Sequence, residues 1–174
     1  RIFGNIWLST CEVQSISDYL SSPNGRVDIH SNSSGCTSPP EVAAACGIIL
    51  PCLPFGNYYL FTQSDIDNFQ INYPNCTQIE GNVTIHGNNI SNLNGLSEIT
   101  AIDGDLLINN NDILQELTGL NALTAVGGNV QIDENPTLLN LTGLGGLNEI
   151  GGGLYIGAGF MIGGFGNPLL TDLM

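Results

Sequence analysis

Ile102-Asp103-Gly104-Asp105-Leu106-Leu107-Ile108 decides the fold, because it returns 24 residues later as Val126-Gly127-Gly128-Asn129-Val130-Gln131-Ile132 and again as Ile150-Gly151-Gly152-Gly153-Leu154-Tyr155-Ile156. The shared pattern is apolar-x-Gly-x-apolar-x-apolar. A further copy, Ile79-Glu80-Gly81-Asn82-Val83-Thr84-Ile85, lies one residue out of step, and Phe3-Gly4-Asn5-Ile6-Trp7-Leu8 and Gly25-Arg26-Val27-Asp28-Ile29 extend the pattern to the N-terminus. Alternation after each Gly is that of a short strand whose alternate side chains point inward. Val83/Ile85, Leu106/Ile108, Val130/Ile132, Leu154/Ile156 and Ile6/Leu8 are therefore expected inside. Thr84, Leu107, Gln131, Tyr155 and Trp7 are expected to form an outward column. A fixed period of this length means stacked coils, each too small to bury its own apolar face.

Working outward from the strand, Asn88, Asn111 and Asn135 follow their glycines by the same seven residues. Asn at such a corner can bond the backbone of the adjacent coil, so these three are expected to form a structural ladder. Leu93, Leu117 and Leu141, with Leu96, Leu120 and Leu144, share the repeat and supply the other walls. Gly95, Gly119 and Gly143 mark the corners between them. Three segments break the pattern and have helical character: Glu12 to Leu20, Pro40 to Ala45, and Ser64 to Tyr73 with Ser64 as N-cap and Pro74 as terminator. Pro51 and Pro54 punctuate a linker-like crossing. The reading is a mainly β, leucine-rich β-solenoid with short capping helices.

Two Lys/Arg stand against sixteen Asp/Glu, a formal net charge of −14. Such a surface repels phosphate backbones and anionic headgroups, which excludes nucleic acid and membrane surfaces as partners. No apolar run reaches the roughly twenty residues of a spanning helix, and the best, Gly153 to Phe165, is short and glycine-rich. No basic-then-apolar signal sequence stands at Arg1, so the sequence reads as a mature or internal piece. Five cysteines fall within the first 76 residues, none in a CxxC pair. Zinc is not expected, and disulfides in an extracellular, secreted setting are. Asn32, Asn75, Asn82, Asn89 and Asn140 each begin an Asn-x-Ser/Thr sequon and are possible glycosylation sites.

Cys52 to Ile85, with Ser64-Asp65-Ile66-Asp67-Asn68-Phe69 and the run Tyr73-Pro74-Asn75-Cys76, resembles the start of a receptor L domain. Cys11 to Cys46, with Asp18-Tyr19-Leu20, Ser22-Pro23-Asn24-Gly25 and Glu41-Val42-Ala43-Ala44-Ala45-Cys46, resembles the end of one. More closely, these residues look like the tandem L-domain modules of secreted bacterial surface proteins. That resemblance implies a right-handed solenoid in permuted order: residues 1–47 the exit-cap half of one module, 48–56 a linker, and 57–174 the opening cap and coils of a second, open at its C-terminus. Joined end to end, Met174 of one copy would lead into Arg1 of the next. Related exit caps carry a second Cys where Ser17 stands, which leaves Cys11 without that partner. The pairing expected on this basis is Cys36 with Cys46 and Cys52 with Cys76. Glycine and apolar groups over Gly157 to Gly166 replace the usual polar turn and are expected to be covered.

Catalysis has little to work with. His30 and His86 neighbour no nucleophile motif, and Asp103/Asp105 and Asp133/Glu134 read as a solvated acidic edge rather than an acid–base pair or a calcium site. No enzyme activity, cofactor or metal is expected. Trp7 and Tyr155, as outward aromatics, are the candidate binding residues. Two functions follow: a structural extracellular protein whose copies or neighbouring L-domain modules stack head to tail into a fibre or stalk, or an adhesive module binding glycan or protein. Partners are thus copies of the chain, other L-domain modules, or glycans.

Overall fold

The computed structural model describes residues 1–25, 27–50, 52–53, 56–157 and 166–173. In chain order the elements are β1 (Ile2–Phe3), α1 (Gln14–Ser21), β2 (Ile29–His30), α2 (Pro39–Ala45), β3 (Tyr58–Leu60), α3 (Gln63–Asp67), α4 (Phe69–Asn72), β4 (Gln78–Ile79), β5 (Val83–Ile85), β6 (Ala101–Ile102), β7 (Leu106–Asn109), β8 (Ala125–Val126), β9 (Val130–Asp133), β10 (Glu149–Ile150) and β11 (Leu154–Ile156). Single 3-10 turns at Asn94–Leu96 and Thr118–Leu120 occupy the corners after Leu93 and Leu117.

All named strand pairs are parallel. One five-stranded sheet runs β3-β5-β7-β9-β11 and one four-stranded sheet β4-β6-β8-β10, so the chain visits the two alternately. Register follows the repeat: Val83 lies beside Leu106, Leu106 beside Val130 and Val130 beside Leu154. A third, two-stranded sheet pairs β1 with β2, and a bridge from Val27 to Gly56 joins it to β3.

The inward set is buried through Val130 and Ile132, together with Leu93, Leu117, Leu96 and Leu120 on the opposite walls. Burying a Leu, Ile or Val fully contributes about 1.5–3 kcal/mol, and here each does so against the equivalent residue of the next coil. That arrangement requires close stacking. At Gly95, Gly119 and Gly143 a Cβ would overlap the carbonyls of Ile66, Leu93 and Leu117. At the last row Leu154 is 55% exposed and Ile156 half-buried.

The N-terminal strand is Ile2–Phe3, not Ile6–Leu8: Ile2 pairs with Ile29, and Ile6 is exposed. Gly4 ends that strand instead of opening it, with φ at 70°, a left-handed conformation that favours glycine. A strand at Tyr58–Leu60, preceded by Gly56-Asn57, is a repeat copy not recognised in the sequence. Ser64 is not an N-cap. Thr62 is, its hydroxyl accepting from the Asp65 N–H while the Asp65 carboxylate accepts from the Thr62 N–H, a reciprocal capping box. The helix expected from Ser64 to Tyr73 is two short ones, broken at Asn68.

The disulfides are Cys11–Cys36 and Cys52–Cys76, leaving Cys46 free. The expected Cys36–Cys46 bond is therefore wrong, and Cys11 is paired. Asn32 holds the Cys36 carbonyl through its side-chain amide, and the Ser33 N–H donates to the Leu8 carbonyl, so this loop folds back onto the first coil and meets Cys11. Helix α2 then carries Cys46 to its far end, half-buried at the C-cap. Ser17, fully buried on α1, donates to the Val42 carbonyl of α2 and ties the two cap helices.

Candidate functional site: the outward face of the parallel sheet

Because every strand is in register, side chains of one kind stack in columns across the outward face. Thr84, Leu107, Gln131 and Tyr155 lie side by side on β5, β7, β9 and β11, with Tyr59 preceding them on β3. The neighbouring column holds Phe61, His86, Asn109 and Asp133. His86 Nδ1 lies 3.1 Å from Asn109 Oδ1, and Gln131 donates to Asp133 at 2.9 Å. Asp133 is 4% exposed, and its Oδ1 has no hydrogen-bond partner.

Two ladders of side-chain oxygens edge this face. On the far side of the strand, Asn135 Oδ1 accepts from the Asn111 N–H and Asn167 Oδ1 from the Asn135 N–H, at 3.2 and 3.0 Å. Their amide nitrogens reach back to the carbonyls of Ile85, Ile108 and Ile132 in the preceding coil. Asn88 is exposed and outside this ladder. Coil 83–85 is one residue shorter, and Gly87 takes the position, its N–H donating to Asn111 Oδ1. The same geometry recurs at the N-terminus, where the Asn5 N–H donates to Asn32 Oδ1 and Asn32 Nδ2 to the Ile2 carbonyl. From Asn135 to Asn167 the step lengthens to 32 residues; residues 158–165 of the glycine-rich stretch expected to be covered lie outside the described residues.

The second ladder was not recognised in the sequence. The N–H groups of Asn82, Asp105, Asn129 and Gly153 donate to the side chains of Asn57, Asn82, Asp105 and Asn129 in turn, at 2.7–3.0 Å. Its signal was legible as Asn or Asp at the residue between each Gly and its strand. Asp105, read as a solvated edge residue, is thus half-buried and holds the next coil. Between this ladder and the outward column runs an open groove of about 380 Å³ lined by Asn82, Thr84, Asp105, Leu107, Gln131 and Tyr155 among others.

Toward the N-terminal end the face becomes aromatic. Phe3 stacks on His30 (5.1 Å between centroids), His30 packs against Tyr59 (4.2 Å) and Phe61 (6.1 Å), and Phe61 meets His86 edge-on (6.0 Å). Arg1 lies over Phe3 at 5.4 Å from its centroid, and its Nε donates to Asp28. Asp28 is fully buried, its other oxygen accepting from the Tyr59 hydroxyl. Burial holds the His30 imidazole below its usual pKa, against the Asp28 charge.

The two proposed binding aromatics do not share a site. Tyr155 closes the groove at the last row, whereas Trp7 is 90% exposed in the turn after β1, at the opposite end of the stack. Phe3, not Trp7, supplies the outward aromatic of the first row. Among the sequons, Asn75 and Asn89 are exposed and Asn140 and Asn82 partly so. Asn32 donates both side-chain hydrogens, to Ile2 and Cys36. Among the described residues, no three His, Cys, Asp or Glu side chains gather as a metal-binding group, and no helix is long and apolar enough to cross a membrane.

Residues 75–156, which run from the turn before β4 to the end of β11, match the family model of the receptor L domain. Comparison with curated proteins and with solved structures gave no match in either case.

Proposed function

We propose, from the premise that residues 75–156 are a receptor L domain, that this chain is an extracellular module that binds a ligand on the outward face of its five-stranded sheet. The observation that carries the reading is the groove itself. It lies open on a flat face, and its edge is fixed by side chains already pinned to the next coil, so binding there costs little ordering. The role is recognition and not catalysis: the groove offers amides, one carboxylate, Leu107 and Tyr155, with no nucleophile and base in hydrogen-bond reach. Two disulfides agree with an oxidising compartment.

On the same premise the two alternating sheets wind as a right-handed solenoid, the hand that parallel crossovers take in nearly all cases. Residues 1–47 are then the exit cap of one module, and 57–174 the opening cap and coils of another. The test is a double replacement, Gln131→Ala with Tyr155→Ala, assayed for binding to partners captured by the wild-type chain and to glycans. Loss of binding with unchanged circular dichroism supports the face as the site; undiminished binding removes it.

A second reading, head-to-tail stacking into a fibre or stalk, has one observation in its favour. Beneath the outer edge of β11 lies a hollow of about 610 Å³ lined largely by Leu141, Leu144, Leu147, Ile150, Leu154 and Ile156. Among the described residues no strand pairs with the outer edge of β11, and an unpaired parallel edge invites further pairing. Sedimentation velocity from micromolar to millimolar chain checks it: growing oligomers that Leu154→Glu abolishes support stacking, and a monomer throughout rules it out.

A further inference from the structure

We infer that the partner recognised by the N-terminal end of the sheet face is a basic, arginine-bearing polypeptide segment; this rests on the sheet face being the binding surface. Three observations converge. First, Phe3, His30, Tyr59, Phe61 and His86 form a continuous aromatic strip running across four rows of strands, with Phe3 49% exposed and the rest of the strip partly open apart from the exposed His86. Ring faces attract guanidinium groups, which also stack on them through their own plane.

Second, the chain already demonstrates that contact once. Arg1 sits over Phe3 while its Nε bonds the buried Asp28 carboxylate, so one end of the strip holds a guanidinium between a ring and an acid. Third, the charge balance selects the sign of the partner. Arg1 and Arg26 are the only cationic side chains apart from two histidines in a chain of net charge −14, and no Lys or Arg occurs from residue 27 onward. Among the described residues, a cation approaching the strip from the groove side passes Asp105 before it reaches Arg1, which lies over Phe3 at the far end and is paired with Asp28. An anionic ligand meets repulsion over the whole molecule, and a neutral glycan draws nothing from it.

The test uses the intact chain immobilised for biolayer interferometry at about 0.15 M salt, where exposed charges act over about 8 Å. Probes are an (Arg-Gly)4 peptide, its (Lys-Gly)4 and (Glu-Gly)4 counterparts, and cellohexaose. Arg binding at least about threefold tighter than Lys, with no Glu binding, is the expected result. Phe3→Ala and Phe61→Ala should each weaken the Arg peptide about fivefold and narrow the Arg–Lys difference. Phe3 is half-exposed, so its variant keeps the test sound if Phe61→Ala misfolds. Glu98→Gln, on another wall, should change neither peptide. Equal Arg and Lys affinities, or weakening by Glu98→Gln as large as by the Phe variants, would reduce the effect to diffuse charge attraction and overturn the inference. Cellohexaose binding lost in Tyr155→Ala, without peptide binding, overturns it too but leaves the sheet face as the site. Binding of any probe that survives all face variants overturns both.

Discussion

Asn135 is fully buried and makes seven hydrogen bonds: its side-chain amide donates to the Ile108 and Asp133 carbonyls and to Asn167 Oδ1, its Oδ1 accepts from the backbone and side-chain N–H of Asn111, its own N–H donates to Asn167 Oδ1, and its carbonyl accepts from the Leu138 N–H. Asn135→Ala deletes the side-chain partners and leaves buried amides and carbonyls without water. At about 1–3 kcal/mol for each unsatisfied group, with partial relaxation, the cost is about 3 kcal/mol. Asn88→Ala, at an exposed position outside the ladder, should cost less than about 0.5 kcal/mol. Urea denaturation of the two variants checks the difference. His30 gives a second prediction. Its folded pKa is lowered, chiefly by burial, so between 6.5 and that lower value the unfolded chain binds more protons than the folded one. Stability from this group is whole above 6.5 and is lost as pH falls through 6.5 toward the folded pKa. An NMR titration should place the His30 midpoint below 6.5, and His30→Gln should flatten that limb of the stability curve. A midpoint at or above 6.5 would contradict it.

At the scale of elements, the repeated corner after each wall leucine requires glycine for space. A methyl at Gly119 would press on the Leu93 carbonyl of the coil below, backbone against backbone, with nothing flexible to move. Gly119→Ala should destabilise by about 1–3 kcal/mol, while Gly145→Ala, with nothing within 4 Å, should be near neutral. Thermal melts of both proteins decide it. Positions governed by the period were legible in the sequence: the inward residues of β5 to β9, the wall leucines, and Asn111 and Asn135 at their corner. What was not legible lies where another force outweighs the period. Asn88 matches the ladder motif, but a coil one residue short moves the corner to Gly87. Phe3-Gly4-Asn5-Ile6 matches the strand motif, but Gly4 turns the chain and Asn5 meets Asn32. The aromatic strip is not legible in the sequence because it joins Phe3 of β1, His30 of β2 and Tyr59 of β3 with Phe61 and His86, which directly follow β3 and β5, and their proximity is fixed by stacking. The pairing of Cys11 with Cys36 follows from a loop folding back, which cysteine spacing does not encode.

For the whole molecule, both disulfides lie in the first 76 residues, while the coils from β5 to β11 contain no cysteine and are held by parallel strand pairing, packing and the side-chain ladders. Their sequence separations, 25 and 24, are nearly equal, so loop closure predicts about 3 kcal/mol from each. Position in the stack should nonetheless make their loss unequal in effect. Cys11–Cys36 fastens β1 and β2, which among the described residues pair with each other and reach β3 through the bridge from Val27 to Gly56. Cys52–Cys76 fastens the cap against which α3 and α4 pack, at the foot of the coil carrying β5. In a stack where each coil is stable only against its neighbours, losing an outer fastening opens the outer coils, and losing an inner one propagates both ways. Cys11→Ser with Cys36→Ser should therefore speed amide exchange over residues 1–47 and leave the exchange of Ile108, Val130 and Ile132 unchanged. Cys52→Ser with Cys76→Ser should speed exchange in both regions and lower the main melting transition. Native-state hydrogen exchange distinguishes the two. Identical exchange patterns in the two double variants would show that the molecule unfolds as one unit, with no division at the cap.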